Sequence, residues 1–202
     1  MDGQGPLAGG QLAGGQVPSV GRQAAWELLC EYTQDENLRK HGLAVEAAMR
    51  HYAARLSGDP ELWGIAGLLH DFDYERWPNP PDHATKGAEI LRQKGYPEEI
   101  VLAILGHADY TGVPRDTPMA RALYACDELC GLTTAVALVR PSKKVADVEV
   151  KSVLKKMKEK GFARGVNRED IQKGTAELGV PFEEHVGNVI EAMKGAAAAL
   201  GL

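Results

Sequence analysis

The 202-residue sequence has only three cysteines, no Asn-x-Ser/Thr sequon and no apolar run of bilayer-spanning length. Three irregularly placed thiols do not make a disulfide framework and suit a reducing compartment. A spanning helix would need about 20 mostly apolar residues, so no membrane association is expected. Positive charge is not in excess: 23 Lys and Arg against 28 Asp and Glu leave a net charge of −5. With no global positive field, neither nucleic acid nor an anionic membrane is expected as a partner. The N-terminus lacks a basic segment followed by an apolar one, so no cleaved signal peptide is expected. Serine-nucleophile, phosphate-loop and dinucleotide motifs are missing as well. Strand alternation is absent apart from short ambiguous runs such as 145–150. These absences leave a cytoplasmic, all-α protein as the expectation.

Residues 1–21 hold seven glycines, two prolines and one charged residue, Asp2. With few large apolar groups to offset its ordering entropy, this stretch reads as a flexible leader. A helical domain is expected over 22–140 and a helical extension packed on it over 141–202. Apolar spacing starts at Trp26, Leu28, Leu29 and Tyr32, and a second helix runs from about Asn37 to Leu56. Asp59 before Pro60 has the form of an N-cap with proline in the first turn, launching a helix to about Asp71. The prolines of Trp77-Pro78-Asn79-Pro80-Pro81 require a loop. Helices follow at about 82–94, 97–107 and 117–139. Val150, Val153, Leu154 and Met157 then keep helical spacing. Asn167 caps a helix to about Leu178, and Pro181 begins the last one.

Chemistry is sought where polar groups fall on faces that should be apolar. Asp127 sits one turn from Leu123 and from Cys130, where a bare carboxylate is costly unless it is paired or binds a cation. His70 and Asp71 end the apolar run Ile65 to Leu69. His41 shares a face with Ala44, Val45 and Ala48, and His107 follows Ile100 to Leu105. Singly, each has a plainer reading: an inward histidine is usually a hydrogen-bonded core residue, and a buried aspartate can pair with an arginine. Together, imidazoles and carboxylates on four helices are the ligand types a divalent metal takes.

The order His41, His70-Asp71, Asp127 in a helical chain resembles the HD superfamily of metal-dependent phosphohydrolases. Gly67 to Tyr74 is similar to that family's segment bearing the paired ligands, and Ala125 to Leu129 to its final ligand helix. The stretch from His83 to Leu91 resembles the following helix of the HDIG-type subgroup. The likeness spans about residues 36–140 and implies a compact helical HD-domain bundle with additional C-terminal helices. It further implies that His41, His70, Asp71 and Asp127 hold a first metal. In two-metal members the aspartate at the Asp71 position bridges the ions, and His83 and His107 match two positions that hold the second. The paired histidine expected after His107 is replaced by Ala108. That departure leaves open one metal, a weaker second metal, or His83 and His107 binding phosphate directly.

The expected activity is hydrolysis of a phosphate ester, of a nucleotide or another small phosphorylated metabolite, by metal-activated water. One or two divalent ions are expected, with Fe, Mn, Co, Ni, Zn and Mg all compatible with such ligands. Asp71, Asp73 and Lys86 are the catalytic candidates, Asp73 to orient water or take a proton. Lys86, His83, His107 and Arg140 are candidates for holding the substrate phosphate. The rival readings are a non-catalytic, metal-stabilised module binding a nucleotide or a partner, and a di-iron oxygenase. A homodimer is compatible with a helical domain of this size. Residues 140–160 carry eight basic residues that could attract phosphates, although Lys151, Lys155 and Lys158 read as a solvated helix face. Cys126 and Cys130 read as core packing, and His51 and His185, on charge-rich helices, as surface residues.

Overall fold

In the computed structural model, which describes residues 20–202, every regular element is helical and no strand occurs among the described residues. The helices are α1 (Arg22–Tyr32), α2 (Glu36–Arg55), α3 (Pro60–Leu69), α4 (Thr85–Gln93), α5 (Glu98–Gly106), α6 (Pro118–Leu138), α7 (Val150–Lys158), α8 (Arg168–Leu178), α9 (Phe182–Gly195) and α10 (Ala197–Leu200). Residues 1–19, most of the expected leader, lie outside the described residues, whereas Val20 packs against the core.

Local chemistry sets the ends of these helices. Asp59 accepts the N–H groups of Glu61 and Leu62, with Pro60 in the first turn, as its spacing predicted. Thr117 caps α6 through Ala120 N–H, and Asn167 caps α8 through Glu169 and Asp170 N–H. Two boundaries differ from the sequence reading. The helix expected to reach Asp71 stops at Leu69, so His70 and Asp71 lie at the head of a tight turn. The helix expected from 82 starts at Thr85, because Ala84 adopts a positive φ of 58° and turns the chain sharply after His83. The ambiguous run at 145–150 is a 3₁₀ turn, Val145–Asp147, followed by α7.

The core is one cluster built on Met49, Tyr52, Ile65, Leu68, Leu69, Phe72, Ile100, Ile104, Leu123, Leu129 and Leu132, all fully buried. Each such side chain contributes roughly 1.5–3 kcal/mol by leaving water. Helices α2 and α3 pack most extensively, α6 packs on α8, and α2 also meets α6 and α9. The α2–α3 crossing depends on two glycines. A Cβ on Gly42 would lie 2.9 Å from Leu68 O, and one on Gly67 would lie 2.8 Å from Val45 O. Their absence lets the two backbones touch, which carries His41, beside Gly42, up to His70.

His185 corrects the sequence reading. It is fully buried, not a surface residue. Tyr52 O–H donates to its Nδ1 at 2.6 Å, and its Nε2–H donates to Ala125 O at 2.9 Å. Asn188 Nδ2 donates in turn to the Tyr52 hydroxyl. Burial pulls the His185 pKa down to about 4, so it is held neutral. His51 is half-buried, and its Nε2 is enclosed with no hydrogen-bond partner among the described residues.

Candidate metal centre

Five segments meet at Asp71, including the turn before α4 with His83 and the end of α5 with His107. His41 comes from α2, His70 and Asp71 from the turn after α3, and Asp127 from the middle of α6. His41 Nε2 lies 2.9 Å from Asp127 Oδ1 and 3.9 Å from Asp71 Oδ2. His70 Nε2 lies 3.3 Å from both carboxylates. On the other side of Asp71, His83 Nε2 and His107 Nε2 each lie 3.3 Å from its Oδ1. The result is two donor groups, His41–His70–Asp71–Asp127 and Asp71–His83–His107, in each of which the donor atoms lie within 4.8 Å of one another. Asp71 belongs to both.

The imidazoles are oriented alike. His70 donates Nδ1–H to Gly67 O at 2.8 Å, His83 to Asp73 Oδ1 at 3.0 Å, and His107 to Ile104 O. With Nδ1 already donating, Nε2 faces Asp71 in each case, as a hydrogen-bond donor when the ring is charged and as a lone pair when it is neutral. His41 Nε2 and His70 Nε2 stand only 3.2 Å apart. Lone pairs on nitrogens and carboxylates facing one another at this range repel unless a proton or a cation lies among them. Such a donor set fits a divalent cation, and mixed nitrogen and oxygen donors suit a transition metal.

Electrostatics agrees with this geometry. Burial pulls His70 down, yet the charges of Asp71 and Asp127 lift its pKa well above the ordinary histidine value. Burial pushes Asp71 up, yet the charge of His70 and hydrogen bonds from His107, His70 and His83 hold it well below the carboxylate range. Asp127 is likewise held low, by His70 and His41 against the effect of burial. The field that draws a proton to His70 is one that would draw a divalent ion.

All of the donor residues except the fully buried His70 line a cavity of about 270 Å³ together with Tyr74, Tyr110, Tyr124, Glu128 and Asp170. Tyr110 O–H donates to His83 O at 3.1 Å, and Tyr124 O–H to Asp170 Oδ1 at 2.9 Å. Burial, then the charge of Asp127, pushes Glu128 up to about 8. No lysine or arginine lines this cavity.

Three sequence expectations need correction. Asp73 does not face the cavity. It is fully buried, one oxygen accepting from His83 and the other from Gly87 N–H at 2.9 Å. Lys86 is not part of the lining either, since its ammonium sits 3.6 Å from Glu89 on its own helix. Arg140 donates to Ser152 at 2.5 Å. It lies past the end of α6, whose last residue, Leu138, is already roughly 16 Å along the axis from Asp127 at 1.5 Å per residue. Spacing places these residues on a face or near an end, but does not say what stands opposite. Conversely, the five added cavity residues had little signal. Only Glu128 neighbours a candidate ligand, Asp127, and Tyr74 a catalytic candidate, Asp73, while Asp170 arrives through the packing of α8 on α6.

Comparison with known proteins agrees with the fold and the motif. Residues 38–132 match the HD domain family. Ribonuclease Y of Lawsonia intracellularis is 36% identical over 104 residues, which cover 50% of this chain and 19% of that protein. The match therefore spans about a fifth of that relative's length. The crystal structure of the HD domain of the L. monocytogenes phosphodiesterase PgpH superposes with a TM-score of 0.53 at 12% identity, covering 88% of this chain and 99% of that one. The motif order, the matched residues and the shared helical architecture agree on one point: residues 38–132 match the HD domain family within an all-helical fold.

Proposed function

We propose that this protein is a metal-dependent phosphohydrolase that cleaves a phosphate ester at the floor of the Asp71 cavity. The observation that carries the reading is the pair of donor groups sharing Asp71. His41, His70, Asp71 and Asp127 would hold one divalent ion, and Asp71, His83 and His107 a second. Bound there, divalent ions supply Lewis acidity toward a phosphoryl oxygen and lower the pKa of a coordinated water.

The chain's own residues supply the rest. Backbone carbonyls and Asp73 keep the Nδ1 protons of His70, His83 and His107 turned away from the cavity, so that their Nε2 atoms face the reaction centre. Asp73 is thereby a positioning residue rather than an acid or base that touches substrate. With no lysine or arginine in the lining, the cavity has little to hold several phosphates at once, which favours an ester with a single phosphoryl group at the centre. That the two similar proteins are a ribonuclease and a phosphodiesterase supports a phosphodiester over a monoester.

The test combines metal content with turnover. Protein purified without chelator should carry two ions per chain, falling to one in His107→Ala. It should hydrolyse bis(p-nitrophenyl) phosphate, and Asp71→Ala should lose both ions and turnover while remaining folded. Wild-type turnover in a folded, metal-free Asp71→Ala variant would refute the proposal. Oxygen consumption by an iron-loaded protein that hydrolyses no ester would replace it with the oxygenase reading.

A further inference from the structure

Away from the cavity the least explained feature is the distribution of charge. Residues 140–164 carry nine lysines and arginines against three acidic residues, a surplus of six in a chain of net charge −5. The rest of the chain therefore carries −11. Elsewhere many surface cations meet carboxylates: Arg55 with Glu184, Arg92 with Glu98, Arg115 with Glu177, Lys173 with Asp109. Within the segment, Lys143, Lys144, Lys155, Lys158, Lys160 and Arg164 are all exposed, and none forms an ion pair among the described residues. Crowded like charges repel, and an anionic partner relieves that repulsion.

The segment also leads to the cavity. The turn after α7 is pinned by the Arg168 guanidinium, which donates to Ala163 O and Val166 O. The next residue along, Asn167, donates its N–H to Glu128 in the cavity wall, and Asp170 of α8 lines the same wall. Lys160 and Arg164 lie on this connection. The cavity has no cation of its own in its lining but does have three tyrosines. Two of them, Tyr74 and Tyr110, are 39% and 46% exposed, with ring centroids 5.1 and 6.5 Å from that of His83.

A basic strip leading to one wall of a cavity whose lining also holds exposed aromatic rings is the combination that binds single-stranded nucleic acid: cations track the backbone and rings stack on bases. We infer that a single-stranded nucleic acid docks along 143–164, with its bases stacking on Tyr74 and Tyr110 and one phosphodiester over Asp71. This rests on the phosphohydrolase reading and names its substrate class. A duplex fits less well because its bases are already stacked. A lipid surface also fits less well, because Val153 is buried and Val150, Leu154 and Met157 of α7 pack on the core, leaving α7 no apolar face to insert. The overall charge of −5 averages two segregated regions.

The test is fluorescence anisotropy with a labelled single-stranded RNA of about 12 nucleotides, in chelator, so that binding is read without turnover. If about four phosphates are neutralised, affinity should fall about 50-fold between about 50 mM and about 200 mM salt. Lys155→Glu/Lys158→Glu and Lys143→Glu/Lys144→Glu should each weaken binding about ten-fold and flatten the salt dependence. Both should keep the melting temperature and bis(p-nitrophenyl) phosphate hydrolysis of the wild type. Tyr74→Ala/Tyr110→Ala should weaken single-strand binding without changing the salt slope. Absence of RNA binding at the lower salt, or an affinity indifferent to charge reversal, would overturn the inference. So would tighter capture by phosphatidylserine vesicles, or equal affinity for a duplex. RNA binding without any hydrolysis of the small ester would sink the phosphohydrolase reading and leave the docking surface standing.

Discussion

Replacing Asp73 with asparagine changes one atom's hydrogen-bonding sense and nothing in shape. Asp73 accepts two hydrogen bonds, from Gly87 N–H at 2.9 Å and from His83 Nδ1–H at 3.0 Å. Asparagine offers one oxygen and one NH₂. The Gly87 donor is backbone and cannot reverse, so the oxygen goes there and the NH₂ faces His83. His83 must then leave Nδ1 bare and carry its proton on Nε2, 3.3 Å from Asp71 Oδ1. A protonated Nε2 cannot ligate. Loss of such an orienting partner typically costs 10–100-fold in metal affinity, about 1.4–2.8 kcal/mol, here confined to the Asp71–His83–His107 group. Calorimetric titration with Mn²⁺ should show the weaker of two binding events reduced by that factor and the tighter one intact. The tautomer is read independently from imidazole ¹⁵N shifts in metal-free protein. Burial pulls His83 down, but Asp71 and Asp73 push it up to about 9, so the spectra are compared above that pH. Two ions bound by Asp73→Asn with unchanged affinity, or a neutral His83 still protonated on Nδ1, would refute the reasoning. Asp73→Ala is the less informative variant, because it strands two buried donors at about 1–3 kcal/mol each and weakens the fold as well.

Two further outcomes follow from the core. His185 is neutral in the folded protein, with its pKa lowered by burial from 6.5 to about 4. Its contribution to stability is therefore complete above about pH 6.5 and lost as pH falls toward 4, on the order of 3 kcal/mol in all. Urea denaturation at pH 7.5 and 4.5 should show a smaller acid loss in His185→Gln than in the wild type, and an identical loss would remove His185 as the cause. At the α6–α8 crossing, a Cβ on Gly174 would stand 2.7 Å from Ala125 Cα and 3.0 Å from Ala125 N, both backbone. Gly174→Ala should thus cost roughly 1–3 kcal/mol, seen as a lower melting temperature, whereas Gly165→Ala, with nothing within 4 Å, should not show that steric loss.

What the sequence determined by itself was local or periodic. The Asp59, Thr117 and Asn167 caps are legible because a side chain and the N–H groups it satisfies lie within three residues of each other. The helices are legible from apolar spacing, and His41, His70, Asp71 and Asp127 stood out as polar groups on faces meant for the core. Tertiary structure decided what stands opposite each side chain. Lys86 and Arg140 had the right charge and neighbourhood, yet found Glu89 and Ser152 instead of a phosphate. Asp73 became a brace for His83 because Gly87, fourteen residues on, brings a bare N–H against it. His185 went inside because Tyr52 and Ala125 O, on two other helices, satisfy both ring nitrogens. Asp170 joined the cavity only when α8 packed on α6. Caps and periodicity act through neighbours along the chain. The site depends on where helices cross, which Gly42 and Gly67 allow but no local pattern announces.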